Sequence, residues 1–219
     1  MPFDNRREAG RKLAEALASY RAKEPVILAL PRGGVPVAAE VADALGAPLD
    51  LVIARKVGLP DHPELAMGAV SDGAEPVIIR NEDVIRASRI GKLQFDAACR
   101  TEIEEIERRR QRYAGPRDRP DLKGRVVIVV DDGIATGATA KAALGAVRQQ
   151  HPRELVLAVP VAPADTIGDL RRETDRLVCL ETPELFGAIG FFYVDFRPAR
   201  DEEVISILQD VRTRREGTP

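Results

Sequence analysis

Residues 126–139 read VVIVVDDGIATGAT, and few folds accommodate that order of side chains. Five consecutive apolar β-branched residues, Val126 to Val130, leave no face for water, which suits a central strand buried on both sides. Asp131 and Asp132 follow at its carboxyl end. A loop from Gly133 to Thr139 then opens an alanine-rich helix predicted over 140–148. In an open α/β sheet, ligands sit outside the carboxyl ends of the strands, so the acids and the loop should line a binding site. Gly133 and Gly137 permit close backbone approach, and Thr136 and Thr139 carry hydroxyls. The N–H groups of the loop and of the helix start form a cradle for an anion. Acids so near a bound phosphate would repel it, so Asp131 and Asp132 should face hydroxyls or a hydrated metal. A sugar phosphate with free ribose hydroxyls meets both demands. A Walker A loop is a poor match because no Lys precedes the final Thr, and the dinucleotide fingerprint lacks its third glycine.

The apolar strand, the two acids and the small-residue loop ending Thr136-Gly137-Ala138-Thr139 together resemble the phosphoribosyl-pyrophosphate (PRPP) signature of the type I phosphoribosyltransferases. The resemblance implies that Gly133, Ile134, Ala135, Thr136, Gly137, Ala138 and Thr139 hold the 5′-phosphate. It implies that Asp131 and Asp132 hold the ribose hydroxyls and bind Mg²⁺, directly or through water. The reaction implied is transfer of a phosphoribosyl group from PRPP to a small-molecule acceptor, most often a nitrogenous base, with release of pyrophosphate. Asp131, Asp132 and Arg32 form the implied catalytic set. A PRPP-sensing regulator that binds without turnover is the alternative. Family members are often dimers, so a homodimer is an assembly the resemblance allows. One position departs from part of the family: Ala135 stands where the hypoxanthine-guanine branch carries an acid. That weakens a 6-oxopurine acceptor, whereas adenine and orotate branches carry Ala there.

The rest of the chain reads as α/β. The expected architecture is a Rossmann-like, mostly parallel sheet of about five strands flanked by helices. An inserted hairpin and long helix at about 57–121 and a hood at about 182–200 belong to the same domain, spanning 1–219. Asp4 or Asn5 can cap a first helix over 6–22. VILAL (26–30) is predicted as a buried strand running into Pro31-Arg32-Gly33-Gly34. This second glycine-bearing loop is either an ordinary strand-to-helix turn or a diphosphate site, with Gly33 and Gly34 admitting the backbone and Arg32 supplying charge. In the family it resembles, the loop after the first core strand binds pyrophosphate, and the peptide corresponding to Pro31–Arg32 is often cis. DLVIARK (50–56) is predicted as one further strand that delivers Arg55 and Lys56 to the same sheet edge as Arg32. Such basic residues meet pyrophosphate in family members; solvent-facing cations are the plain alternative.

Strands over 64–70 and 76–80 form a hairpin about a turn at Ser71-Asp72-Gly73. A helix over 81–113, broken near Gly91, carries a thin apolar stripe of Ile103, Ile106 and Tyr113. That stripe predicts docking along one edge in preference to an arm onto a second subunit. A linker at 115–123 returns to the signature strand, and strands over 154–163 and 176–181 complete the sheet. The next segment holds Phe186, Phe191, Phe192, Tyr193 and Phe196, five of the nine aromatic residues. It is either a hydrophobic plug or a hood in which Phe186 or Phe191 stacks on a planar acceptor. A last helix over 202–214 turns Val204, Ile207, Leu208 and Val211 inward.

Thirty-three basic against 35 acidic residues create no basic field, so a nucleic-acid partner is not expected. No apolar run is long enough to span a bilayer and no signal peptide opens the sequence, so a membrane partner is not expected and a cytoplasmic location is. Cys99 and Cys179 lack metal-ligand spacing and read as reduced thiols, and His62 as a surface loop residue.

Overall fold

Val126 to Val130 are all buried, and the strand they form is the middle of the main sheet. The computed structural model describes residues 2–72, 76–114 and 119–216. In chain order the elements are α1 (Arg6–Ala16), β1 (Val26–Ala29), α2 (Gly34–Leu45), β2 (Leu49–Leu51), β3 (Ala54–Gly58), β4 (Ala66–Ser71), β5 (Val77–Arg80), α3 (Glu82–Ala87), α4 (Lys92–Ala114), β6 (Val126–Val130), α5 (Ala138–Arg148), β7 (Glu154–Val161), α6 (Ala164–Leu170), β8 (Arg176–Glu181) and α7 (Asp201–Glu216). Short 3₁₀ turns lie at Ala18–Lys23 and Ile189–Phe192. The main sheet has the order β2-β1-β6-β7-β8, and every pairing in it is parallel, as the buried apolar strands require.

Alternation along these strands feeds two cores. Ile27, Ala29, Ile128, Val130, Val156 and Ala158 face one side, where α1, α2 and α7 pack. Val26, Leu28, Val127, Val129, Leu155 and Leu157 face the other, against α5 and α6. Both faces of the sheet are therefore covered. Asn5 caps α1 by accepting the Glu8 N–H, while the Glu8 carboxylate accepts the N–H of Asp4, the residue before the cap. Gly46 ends α2 in the left-handed conformation. Where α1 crosses α2, a Cβ on Gly10 would lie 2.6 Å from the Val37 carbonyl oxygen and 2.9 Å from Glu40 Cβ. Only glycine lets the two helices lie this close, and that crossing sets where Arg6, at the start of α1, comes to rest.

Residues 50–56 correct the sequence expectation of one strand. The chain pairs with β1 through Leu51, and the Val52 N–H still reaches the Ala29 carbonyl. It then leaves the main sheet. Ile53 is pinned by the Asp72 side chain at 2.8 Å and by the Asp72 N–H at 2.8 Å. From Ala54 the chain runs as β3 in a separate antiparallel sheet, β3-β4-β5. An unbroken apolar run does not reveal such a switch, because the buried acid that causes it lies 19 residues downstream. The hairpin is present as β4 and β5, with Ser71 inside β4; Gly73 of the expected turn lies outside the described residues.

The long helix breaks as expected, with Asn81 capping α3 and α4 starting at Lys92. Its buried stripe includes Phe95 and Cys99 as well as Ile106 and Tyr113, with Ile103 packed against it. Helix α4 docks on β3, β4 and α7, the edge-docking arrangement. Arg110 fastens it by donating to the Leu51 carbonyl, to Asp72 and to Asp50. The linker expected at 115–123 lies outside the described residues over 115–118. His62 is exposed, Cys99 is buried, and burial pushes the half-buried Cys179 thiol up to about 11. Among the described residues no helix is long and apolar enough to cross a membrane.

Gly10→Val should lower the unfolding free energy by about 1–3 kcal/mol, because a branched side chain there must push α1 off α2. Urea unfolding measures this, and a midpoint unchanged from wild type would show that the crossing is not sterically fixed.

Candidate functional site

β1 and β6 are adjacent parallel strands with Ala29 opposite Val130. The loops that leave them emerge side by side, joined by a bond from the Leu30 N–H to the Val130 carbonyl at 2.9 Å. After β1 comes Pro31-Arg32-Gly33-Gly34, with the Pro31–Arg32 peptide cis as expected. After β6 come Asp131 and Asp132. A Cβ on Gly33 would overlap the Asp132 carboxylate, and one on Gly34 would lie 2.7 Å from the Val130 carbonyl oxygen and 2.9 Å from Asp131 Cα. Two motifs far apart in sequence are thus in direct contact. The glycines serve close approach to the acids here, beyond any approach of a ligand.

The two acids differ in environment. The Asp131 Oδ1 accepts the Asp132 N–H at 2.8 Å. Burial holds the Asp131 carboxyl well above the ordinary carboxylate range, and the adjacent Asp132 charge pushes the same way. Burial also raises Asp132, opposed by Arg6, whose Nε donates to Asp132 Oδ2 at 2.7 Å. The Tyr193 hydroxyl donates to the Asp132 carbonyl oxygen at 2.5 Å. Burial and then the Asp132 charge push that phenol far up, so it stays a donor. Sequence reasoning missed both Arg6 and Tyr193. Arg6 stands beside Arg7 in a charged first helical turn, and nothing local separates the partly buried one from the exposed one.

In the signature loop, Ile134 is buried and its N–H is taken by the Val161 carbonyl at 3.0 Å, so this residue anchors the loop. Thr166 of α6 donates to the Ala135 carbonyl oxygen at 2.8 Å, a brace the sequence did not reveal. Ala135, Thr136, Ala138 and Thr139 are exposed, and Gly137 is half-buried. Helix α5 begins at Ala138, two residues earlier than predicted. Thr139 and Ala138 therefore sit in its first turn, where N–H groups lack intrahelical partners.

Arg32 is half-exposed, and its Nη1 lies 3.5 Å from Asp201 Oδ1 at the start of α7. Tyr113 and Arg112, from the end of α4, hold the same carboxylate at 2.8 and 3.1 Å. Arg55 and Lys56 are not at the end of a main-sheet strand. They lie in β3, where Arg55 pairs with Glu102 of α4 and Lys56 with Glu64. The chain's switch of sheets at Ile53 places them in the β3-β4-β5 sheet and not at the end of a main-sheet strand.

The aromatic segment packs back onto the signature loop. A Cβ on Gly133 would lie 2.6 Å from Ile189 Cγ2, so Ile189 sits directly on the loop's first residue. Phe186 stacks on Phe192 with ring centroids 5.5 Å apart, whereas Phe191 is 76% exposed. A cleft of about 780 Å³ opens beside Arg6, bordered by Arg7, Asp195, Arg197 and Arg200. Among the described residues, no three His, Cys, Asp or Glu side chains gather as a metal-binding group.

The phosphoribosyl transferase domain pattern matches residues 4–197 of the chain. Two Mycobacterium tuberculosis proteins provisionally named phosphoribosyl transferases, from strains CDC 1551 and H37Rv, are 47% identical over 206 residues, 94% of this chain. The match spans 46% of each of those proteins, so the chain has about half the length of the curated relatives it matches. The crystal structure of the protein TT1426 from Thermus thermophilus superposes with a TM-score of 0.84 at 43% identity, covering 96% of this chain and 99% of that one.

Gly33→Ala should destabilise the fold by about 1–3 kcal/mol, since the methyl must displace the Asp132 carboxylate or the loop itself. Gly168→Ala, in α6 with open space around it, is the control and should be neutral or slightly stabilising. Thermal melts compare them; equal midpoints for the two variants would mean that the loops are not held together by this contact.

Proposed function

Because this chain belongs to the phosphoribosyl transferase domain family, we propose that it transfers a 5-phosphoribosyl group from PRPP to a nitrogenous acceptor, releasing pyrophosphate. The observation that carries the proposal is the contact of the Gly33 loop with the Asp131–Asp132 pair, beside a signature loop whose outer face is open. A diphosphate recognised by the first loop and a ribose recognised by the acids would share one carbon, C1. Breaking the bond at C1 builds positive charge on the ribose, as in glycoside hydrolysis. Asp131 and Asp132 supply negative charge beside the ring and accept hydrogen bonds from the 2′ and 3′ hydroxyls. Arg32, at the mouth of its loop, supplies positive charge to the leaving group. The N–H groups at the start of α5, with the Thr136 and Thr139 hydroxyls, hold the 5′-phosphate. No side chain need form a covalent intermediate; orientation and fixed charge suffice.

Two vicinal acids suit Mg²⁺, which takes one or two carboxylates and draws its remaining ligands from water and substrate phosphates. Asp131, whose described bonds include none to a cationic side chain, would carry most of that role, and Asp132 would act through water. The bound ion would offset the charge of the diphosphate as it leaves. Phe191 offers an open ring to a planar acceptor, and Phe186, already stacked on Phe192, would support the wall behind it. Ala135 brings no carboxylate to the acceptor, so a proton leaving the base goes to water or to another group. Arg55 and Lys56, committed to Glu102 and Glu64, would reach the diphosphate only by exchanging those partners.

The deciding experiment incubates the protein with PRPP, Mg²⁺ and a panel of purines, pyrimidines and other nitrogen nucleophiles, and reads pyrophosphate release. Acceptor-dependent release supports transfer; PRPP binding without release from any acceptor favours a sensor. With an acceptor in hand, Asp131→Asn should lower turnover by about 10²–10³, the cost of removing one group aimed at developing charge. Rates equal to wild type in the folded variant would remove Asp131 from the mechanism. Phe191→Ala should raise the KM for the acceptor about tenfold while the PRPP Kd stays within about threefold, given roughly 1 kcal/mol for ring stacking plus lost buried area. If both constants move together, the ring is packing and not a stacking platform.

A further inference from the structure

The N-terminal segment and the hood form one unit. Phe3 and Tyr193 make a parallel β-bridge. The Phe3 N–H donates to the Phe192 carbonyl at 2.8 Å, the Val194 N–H to the Phe3 carbonyl at 2.8 Å, and the Asp195 N–H to the Asp4 carbonyl at 2.9 Å. The Tyr193 ring packs between Phe3 and Phe196, with centroids 5.5 and 5.0 Å away.

Arg6 leaves this unit and crosses to the acid pair. Its guanidinium lies 4.0 Å over the Phe196 ring, and its Nη1 donates to the Arg197 carbonyl at 2.8 Å. Its Nε donates to Asp132 Oδ2 at 2.7 Å, with the two side chains only 12% and 10% exposed. The planar fork is thus fixed at three places, and such a fork turns as a rigid body. Tyr193, from the same unit, holds the Asp132 carbonyl. Asp132 is therefore gripped at its side chain from the start of α1 and at its main chain from the hood. Among the interactions described for Asp131, by contrast, none is a bond to a cationic side chain; its carboxylate accepts the Asp132 N–H.

We infer that Arg6 is a positioning residue of the ribose site: from the start of α1 it fixes the Asp132 carboxylate to accept from the 2′ hydroxyl, so that the acid pair distinguishes ribose from deoxyribose. The inference rests on the transferase reading above. A carboxylate offers about four acceptor sites, and Arg6 uses one on Oδ2, leaving others for a sugar hydroxyl. Discrimination by a hydroxyl requires an acceptor held still. A carboxylate free to turn would accept from water as readily as from the sugar. Arg6 also ties the cover of the acceptor side to the floor of the ribose side, so the acid pair is complete only when residues 3–6 lie under the hood.

The test is calorimetric binding of ribose 5-phosphate and 2-deoxyribose 5-phosphate to wild type, Arg6→Ala and Arg6→Lys, with circular dichroism as a check of folding. Wild type should prefer the ribose compound by about tenfold or more. Arg6→Ala should reduce that preference to within about threefold of unity while binding the deoxy compound about as wild type does. Arg6→Lys keeps the charge and loses the fork, and should retain a preference between the two. A merely structural role would weaken both compounds equally, and an equal loss, or an unchanged preference, overturns the inference. If Arg6→Ala does not fold, Arg6→Lys decides alone: a reduced preference supports the inference, and a wild-type preference overturns it. A wild type that binds neither compound, or shows no preference, overturns the ribose-clamp reading and this inference together.

Discussion

The parallel pairing of β1 with β6 constrains everything around the site. Two neighbouring parallel strands end at the same edge, so the loops leaving them must share the same space. Here that space is so narrow that Gly33 rests on the Asp132 carboxylate and Gly34 on the end of β6. A side chain at either position would open the site. The consequence is chemical as well as steric. The Gly33 loop and the Asp131–Asp132 pair, to which the proposed function gives the diphosphate and the ribose, are held in contact with one another.

That arrangement carries an electrostatic problem, which the fold answers from an unexpected direction. Two adjacent carboxylates at the end of a buried strand cannot both ionise at ordinary cost, and burial raises both. Arg6 relieves Asp132 from the first turn of α1. Breaking a buried pair by removing one partner typically costs about 3–5 kcal/mol, because the other charge is stranded. Arg6 reaches Asp132 from the start of the helix that Gly10 lets lie close on α2, so the helix crossing and this ion pair share one element.

The insertion between the main-sheet strands also acts at a distance. Asp72 and Arg110 anchor β4 and α4 to the turn between the two sheets. The far end of α4 delivers Tyr113 and Arg112 to Asp201, which faces Arg32. The long charged helix therefore lies as a brace along one edge, and most of its charges remain at the surface, where they add little stability.

The sequence by itself determined the parts that depend on local order. The apolar run of β6, the acids after it, the loop into α5, the glycine pair after β1 and the helical periodicity of α7 each follow from residues close together in the chain. Five parallel strands with both faces covered follow from the same pattern, because apolar strands of this kind need partners on both sides. Only the tertiary structure decided which charged residue meets the acid pair and which sheet carries the others. Arg6 reaches Asp132, and Arg55 and Lys56 lie in β3 of the second sheet, since each outcome depends on a partner far along the chain: Asp132 for Arg6, Asp72 for the switch at Ile53. Tyr193, Ile189 and Thr166 were hidden for the same reason. A lone arginine or tyrosine carries no periodic signal, and its role is set by the one group it meets across the fold.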